Sequence, residues 1–212
     1  MNPDSIVASS PFFHNNMMNK VQLRKQFLSK RKNLSKDDLA KNSLAIKQLF
    51  FQYFNLRGIK KLHIFLPIVK QNEINTWLII DEIKQNHPHI TLITSKSHFK
   101  TNSMESYVLN NHTIIMENKR GIPEPVNAIK CSDNTIDMIL MPLLCFDKQG
   151  FRVGYGKGFY DRFLQKCRKD IIKIGLSFFE PVDQINEANE NDVKMDICLM
   201  TDAIWEWERG NC

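Results

Sequence analysis

The chain has 212 residues, 42% of them hydrophobic and 25% charged, ordinary proportions for a protein that buries a core of real size. No apolar run approaches the roughly 18 residues that cross a bilayer, the first residues lack the charged start and apolar stretch of a secretory signal, and the five cysteines (131, 145, 167, 198 and 212) include no C-x-x-C pair. A membrane span, a disulfide scaffold and a zinc finger are therefore set aside in favour of a cytoplasmic protein with reduced thiols. The net charge of +6 is concentrated in Lys20, Arg24, Lys25, Lys30, Arg31 and Lys32. It favours an acidic partner (nucleic acid, anionic membrane or a phosphorylated small molecule) without choosing among them, and a solvated basic helix face accounts for it equally well.

Residues 1–18 are polar and irregular, with Pro3, Pro11, Asn15 and Asn16, and read as a flexible N-terminal extension. Residues 19–212 read as a single domain. The spacing predicts a helix over 19–33, with Val21, Leu23, Phe27 and Leu28 as its apolar stripe. Ser35 and Asp38 resemble a capping box and open a second helix over 36–54, whose buried face takes Leu39, Leu44, Ile46, Leu49, Phe50 and Phe54. Residues 61–66 form a short strand stopped by Pro67, 73–85 a helix with Trp77, Leu78, Ile80 and Ile83 inward, and 90–94 a β-branched strand. A short strand is expected at 106–109 and a loop at 121–125. Residues 136–141 are the clearest central strand; a long loop, a helix over 158–168 and strands at 172–177 and 197–200 come after it, with a turn of helix at 203–208. Helices alternating with short apolar strands indicate an α/β layered domain with a mostly parallel sheet.

The chemistry is concentrated in Pro142 to Asp161. Gly150, Gly154, Gly156 and Gly158 are four of the eight glycines and fall within nine positions. Glycine permits positive φ and lacks a Cβ, so successive N–H groups can curl around an anion. The segment runs from the end of a strand into a helix, where open α/β sheets bind ligands and where the helix adds donors. Arg152 and Lys157 add full positive charges, and a polyphosphate suits the ensemble best. A P-loop is excluded, because Gly156-Lys157 is followed by Gly158 instead of Ser or Thr. A dinucleotide fingerprint is excluded by the G-x-G-x-G spacing and by the absence of an acid near Lys173. A flexible glycine turn without a ligand is the plain alternative.

Pro142, Phe146, Asp147, Gly150, Arg152, Gly154, Tyr155, Gly156, Gly158, Tyr160, Asp161 and Arg162 together resemble the signature of the 5-formyltetrahydrofolate cyclo-ligases. The resemblance extends to Lys20-x-x-Leu-Arg24, Glu73-Ile-x-Thr76, Gly121-Ile-x-Glu124-Pro125 and Asn191-Asp192-x-x-x-Asp196, in the family's order. It implies a three-layer α/β/α fold similar to sugar-phosphate isomerases and CoA transferases. It also implies conversion of 5-formyltetrahydrofolate and ATP, with magnesium, to 5,10-methenyltetrahydrofolate, ADP and phosphate. By the same resemblance Lys20, Arg24, Arg152, Val153, Gly154, Tyr155, Gly156, Lys157, Gly158, Phe159 and Tyr160 bind ATP. Leu66, Glu73 and the run from Tyr155 to Phe159 contact folate, and Asp161 and Asp192 hold magnesium. Phe159 departs from a usual Tyr, and the stretch from Leu66 to Glu73 is about two residues longer than in some relatives.

Lys157 and Arg152 are the candidate catalytic residues, neutralising charge on the phosphoryl group as it is transferred. Taken alone, Asp161 is an ordinary helix-terminal acid, Asp192 a loop acid, Glu73 a helix N-terminal residue, and Lys20 with Arg24 a solvated i,i+4 pair. The basic charge also suits polyglutamylated folate tails. The chain is expected to act as a monomer without nucleic acid or membrane. The competing readings are an RNA-binding module using the basic helix, which leaves the glycine segment unexplained, and an ATP-independent sugar-phosphate isomerase or acyl-transferase of related fold.

Overall fold

Four consecutive side chains, Met138 to Met141, are all completely buried. They belong to β7 (Met138–Pro142), near the centre of an eight-stranded sheet. Burial on both faces explains why this strand reads as a continuous apolar run instead of an alternating one. Met138 and Leu140 enter one core cluster, and Ile139 and Met141 enter another on the opposite face. Each such side chain contributes roughly 1.5–3 kcal/mol by leaving water. The computed structural model describes residues 18–186 and 190–208. The expected N-terminal extension, apart from Met18, lies outside the described residues, as does Cys212.

Chain order gives α1 (Lys20–Lys32), α2 (Lys36–Tyr53), β1 (Lys61–Ile64), α3 (Trp77–Asn86), β2 (Thr91–His98), β3 (Ser103–Val108), β4 (Ile114–Glu117), β5 (Pro123–Val126), β6 (Lys130–Cys131), β7, β8 (Cys145–Phe146), β9 (Arg152–Val153), α4 (Phe159–Leu164), β10 (Ile172–Leu176), β11 (Ile197–Leu199) and β12 (Ile204–Glu206). The large sheet runs β12-β11-β10-β7-β1-β2-β3-β6. Its central members β11, β10, β7, β1 and β2 are parallel, and antiparallel strands close both edges. Ile46 and Phe50 of α2 and Ile79, Ile80 and Ile83 of α3 cover one face; Phe163 and Leu164 of α4 help cover the other. This is the expected three-layer α/β/α arrangement with a mostly parallel sheet.

α1 packs elsewhere. Leu23 and Phe27 bury themselves against Leu144, Cys145, Val153 and Ile185, so the helix leans on the β8–β9 hairpin instead of the sheet. Asn19 opens α1 by accepting the Gln22 N–H, while the Gln22 side chain accepts the Asn19 N–H, a reciprocal cap. Ser35 caps α2 at Asp38, as expected.

Several expectations need correcting. Val21 and Leu44, placed inward, are largely exposed. The helix expected from Glu73 starts only at Trp77, because Thr76 turns its hydroxyl to the Phe65 carbonyl (2.7 Å) and Asn72 adopts a left-handed conformation that reverses the chain. The expected loop at 121–125 contributes β5, paired with β4 in a separate hairpin. α4 ends at Leu164, well short of residue 168. The expected helical turn at 203–208 is the edge strand β12, paired antiparallel with β11. Among the described residues no helix is long and apolar enough to cross a membrane.

Candidate active site

β1 has β2 on one side and β7 on the other, so the winding direction reverses at β1. Ligands of open α/β sheets bind at such a point, beyond the strand carboxyl ends. A cleft of about 980 Å³ opens there, against Phe65 and Leu66 after β1, Thr94, Ser95 and Ser97 on β2 and Pro142 at the end of β7. That volume is near the top of the roughly 300–1,000 Å³ range of small-molecule sites, enough for more than one substrate.

The glycine segment forms one wall. It does not leave the central strand directly; the β8–β9 hairpin intervenes. Asp147 holds that hairpin in shape. Its fully buried carboxylate accepts the N–H groups of Gln149, Phe151 and Ile185, tying the turn to the C-terminal segment. Beyond β9, α1 grips the glycine run itself. Arg24 donates from Nε to the Gly154 carbonyl at 2.9 Å, and its guanidinium lies so close to Gly156 that a Cβ there would come within 2.9 Å of it. Gly156 also has φ +88°. Two ion pairs cross the same wall: Lys20 with Asp192 at 2.6 Å and Arg152 with Asp161 at 2.7 Å. Asp161 also accepts the Val193 N–H, which stitches the segment carrying Asp192 to α4.

The opposite feature is a buried polar cluster. Glu73 lies in the connection before α3, with only 4% of its surface exposed. One carboxylate oxygen accepts the Ile68 N–H at 2.7 Å, and the other accepts the Tyr155 hydroxyl at 2.6 Å. Arg31, from the last turn of α1, donates to the Tyr155 hydroxyl and places Nη2 3.9 Å from Glu73 Oε1. Burial pushes the Glu73 carboxyl above its usual range; the Arg31 charge and the hydrogen bonds from Ile68 and Tyr155 oppose that shift. Burial likewise raises the phenols of Tyr155 and Tyr160. An acceptor kept inside the protein, with lone pairs to spare, suits a ligand rich in N–H groups.

The model of the 5-formyltetrahydrofolate cyclo-ligase family matches residues 16–201. The chain belongs to this family. The 5-formyltetrahydrofolate cyclo-ligase of Mus musculus is 28% identical over 85% of this chain and 93% of its own. That of Mycoplasma genitalium is 30% identical, over 86% and 99%. The solved 5,10-methenyltetrahydrofolate synthetase of Aquifex aeolicus superposes with a TM-score of 0.77 at 25% identity, covering 92% of this chain and 96% of that one. The Mycoplasma pneumoniae synthetase gives 0.71 at 26% identity, covering 87% and 100%. The fold is that of these synthetases.

Every candidate residue of this cyclo-ligase family member lines the one cleft: Lys20, Arg24, Leu66, Glu73, the run from Arg152 to Asp161, and Asp192. Six cations border it (Lys20, Arg24, Arg120, Arg152, Lys157 and Arg162) against three carboxylates (Glu73, Asp161 and Asp192), which favours a polyanionic ligand. Lys20 and Arg24 are therefore no solvated pair, whereas Lys25, Lys30 and Lys32 do face solvent. Among the described residues no group of three or more His, Cys, Asp or Glu side chains gathers as a metal cage. The sequence reading missed Arg31, Phe99 and Arg120. Arg31 lies seven positions after Arg24, two helical turns, so helical periodicity places it on the same face. Nothing local marks Phe99 or Arg120.

Proposed function

We propose that the chain closes 5-formyltetrahydrofolate to 5,10-methenyltetrahydrofolate in this cleft, with ATP as phosphoryl donor and magnesium as its counter-ion. One observation carries the reading: the glycine wall with its cations and the buried Glu73–Tyr155 acceptor line the same cleft. In this reading Lys20, Arg24 and residues 152–160 hold ATP. Glu73, Leu66 and residues 155–159 hold the folate.

The formyl oxygen attacks the γ-phosphorus of ATP and ADP leaves, giving an iminium phosphate. The N10 amine then attacks the activated carbon, the carbon–oxygen bond breaks, phosphate departs with that oxygen, and N10 loses its proton to water. Little covalent work falls to the protein; positioning and charge stabilisation dominate. Lys157 and Arg152 stabilise charge on the transferred group. Arg152 spends donors on Asp161 and the Val193 carbonyl and has others left among its five. Arg31, behind Tyr155 and Glu73, acts through them as a positioning residue.

Asp161 and Asp192 are too few for a resident metal cage, and each is paired with a cation. Magnesium is commonly held by one or two carboxylates, several waters and substrate phosphates. The donor set therefore fits an ion that arrives with the nucleotide, and magnesium would neutralise phosphate charge there. The deciding experiment measures magnesium-dependent ADP release. Release that requires 5-formyltetrahydrofolate supports the reading; folded protein that releases no ADP on adding it refutes the reading and returns the ATP-independent alternatives.

A further inference from the structure

Five of the six cations at the cleft stand on α1 or on the glycine segment and α4, and four of these are already held. Lys20 pairs with Asp192 and Arg152 with Asp161; Arg24 donates to the Gly154 carbonyl, and Arg162 to the carbonyls of Asn102 and Lys157. The sixth, Arg120, comes from the other wall, in the turn that joins β4 to β5. That turn is fixed. The Asn118 side chain accepts the N–H groups of Arg120 and Ile122, Gly121 takes φ +73°, and the Gly121 N–H returns to the Asn118 carbonyl. Lys70, three residues before Glu73, pairs with Glu117 at 3.3 Å and so ties the hairpin to the segment that carries Glu73. The Arg120 guanidinium lies 4.1 Å from the centroid of the Phe99 ring, and among the described residues it has no carboxylate partner.

Phe99 in turn meets Phe159 edge-on, with ring centroids 5.2 Å apart. Neither ring carries a polar atom, so this contact is wholly apolar. Met104, Ile122 and Pro123 extend the apolar wall. The cleft thus offers a buried hydrogen-bond acceptor at Glu73, an aromatic wall, and a guanidinium whose five donors are unspent on the described residues. A folate has three parts of matching character: an N–H-rich pterin, a benzoyl ring, and a glutamate carrying carboxylates.

We propose that Arg120, Phe99 and Phe159 form the subsite for the aminobenzoyl-glutamate end of the substrate, with the guanidinium pairing a glutamate carboxylate and the rings lying against the benzoyl group. This rests on the folate reading above. Phosphates are drawn instead to the glycine wall, which carries Lys157 and Arg152; Arg120 lies across the two phenyl rings from it. A guanidinium fork matches a carboxylate in two parallel hydrogen bonds, which a lysine cannot do. Its contact with Phe99 holds that fork at the cleft while the donors stay free.

The test compares Arg120→Ala and Arg120→Lys on 5-formyltetrahydrofolate and on a 5-formyltetrahydropterin lacking the benzoylglutamate. For Arg120→Ala the KM for the complete folate should rise by about two- to fivefold, as expected for a charge-assisted pair at an exposed site. The KM for ATP, the kcat and the kinetics of the truncated substrate should stay as they are, and Arg120→Lys should fall between. Equal losses on both substrates, no loss on either, or a raised KM for ATP (an adenine resting on Phe99) would overturn the subsite. Binding of N-(4-aminobenzoyl)glutamate to the full chain, followed by NMR without ATP, judges the subsite apart from turnover. Parent binding that Arg120→Ala weakens by a similar factor upholds it even if cyclisation fails. Binding that is absent, or identical in both proteins, removes it.

Discussion

Arg31 and Glu73 leave only 5% and 3% of their side chains exposed, and the Tyr155 hydroxyl bridges them. Arg31→Met preserves length and apolar stem but leaves Glu73 with Tyr155 and the Ile68 N–H as partners. Removing one member of a buried ion pair costs about 3–5 kcal/mol. Glu73 has an escape, because burial already favours its neutral form and Arg31 is the largest influence holding it charged. The carboxyl can take up a proton once Arg31 is gone, so the loss should sit near the lower end, about 3 kcal/mol. The pH dependence has a definite sign. A folded-state pKa raised above the unfolded value of about 4.5 means stability that is intact below that value and lost as pH rises through the folded pKa. In Arg31→Met that pKa rises further. The gap between parent and variant should therefore be smallest near pH 4.5 and widen towards neutrality, as read by urea unfolding across that range. Adding Glu73→Gln to Arg31→Met should restore most of the stability at neutral pH. A gap that is constant with pH, or a double variant no better than the single one, would show that Arg31 contributes packing alone.

Two further substitutions probe the glycine wall and the core beneath it. Gly156→Ala places a Cβ within 2.9 Å of the Arg24 guanidinium at φ +88°, a left-handed strain of about 1–3 kcal/mol; the KM for ATP should rise several-fold, and an unchanged value would separate the Arg24–Gly156 contact from nucleotide binding. His63 is completely buried beside Phe163, neither ring nitrogen has a hydrogen-bond partner among the described residues, and burial lowers its pKa from 6.5 to about 3. The parent should therefore lose roughly 1.4 kcal/mol per pH unit through this residue as pH falls from 6.5 towards 3, because the unfolded chain binds a proton that the folded one refuses. His63→Leu should flatten that part of the melting-temperature profile, and an identical slope in both proteins would place the acid sensitivity elsewhere.

The parts of the fold that were legible depend on neighbours in sequence. β7 announced itself because a doubly buried strand needs only apolar residues, and the glycine segment because positive φ and close approach leave a compositional mark. The misread parts depend on distant partners. Pro123 and Pro125 look like loop residues, yet β5 pairs only with β4, and proline is tolerated on such an edge. Glu73 looks like the first acid of a helix. What removes it from the helix is the bond from Thr76 to Phe65, a partner on the strand side of the connection. Trp205 and Trp207 look able to end the chain in a helix, but Trp207 donates its indole N–H to the Lys148 carbonyl, 59 residues earlier.

Arg31 is the most instructive case, because its own helix held the signal. Leu23 and Phe27 are the apolar residues that α1 buries, and Lys20, Arg24 and Arg31 fall at three- or four-residue spacings around them, on one face. Lys25 and Lys32 fall off that face and are exposed; Lys30 shares it, three residues after Phe27, but is exposed and lays its ammonium 4.6 Å from the centroid of the Phe27 ring. A cation that is carried inward on such a face must meet an acid, a carbonyl or a ligand. In this chain Lys20 meets Asp192, Arg24 meets the Gly154 carbonyl, and Arg31 meets Tyr155 and Glu73. One helix face thereby reaches both the glycine wall and the buried Glu73–Tyr155 acceptor. The helical period that places the core of α1 also brings Lys20, Arg24 and Arg31 to this side of the helix and turns Lys25 and Lys32 to solvent.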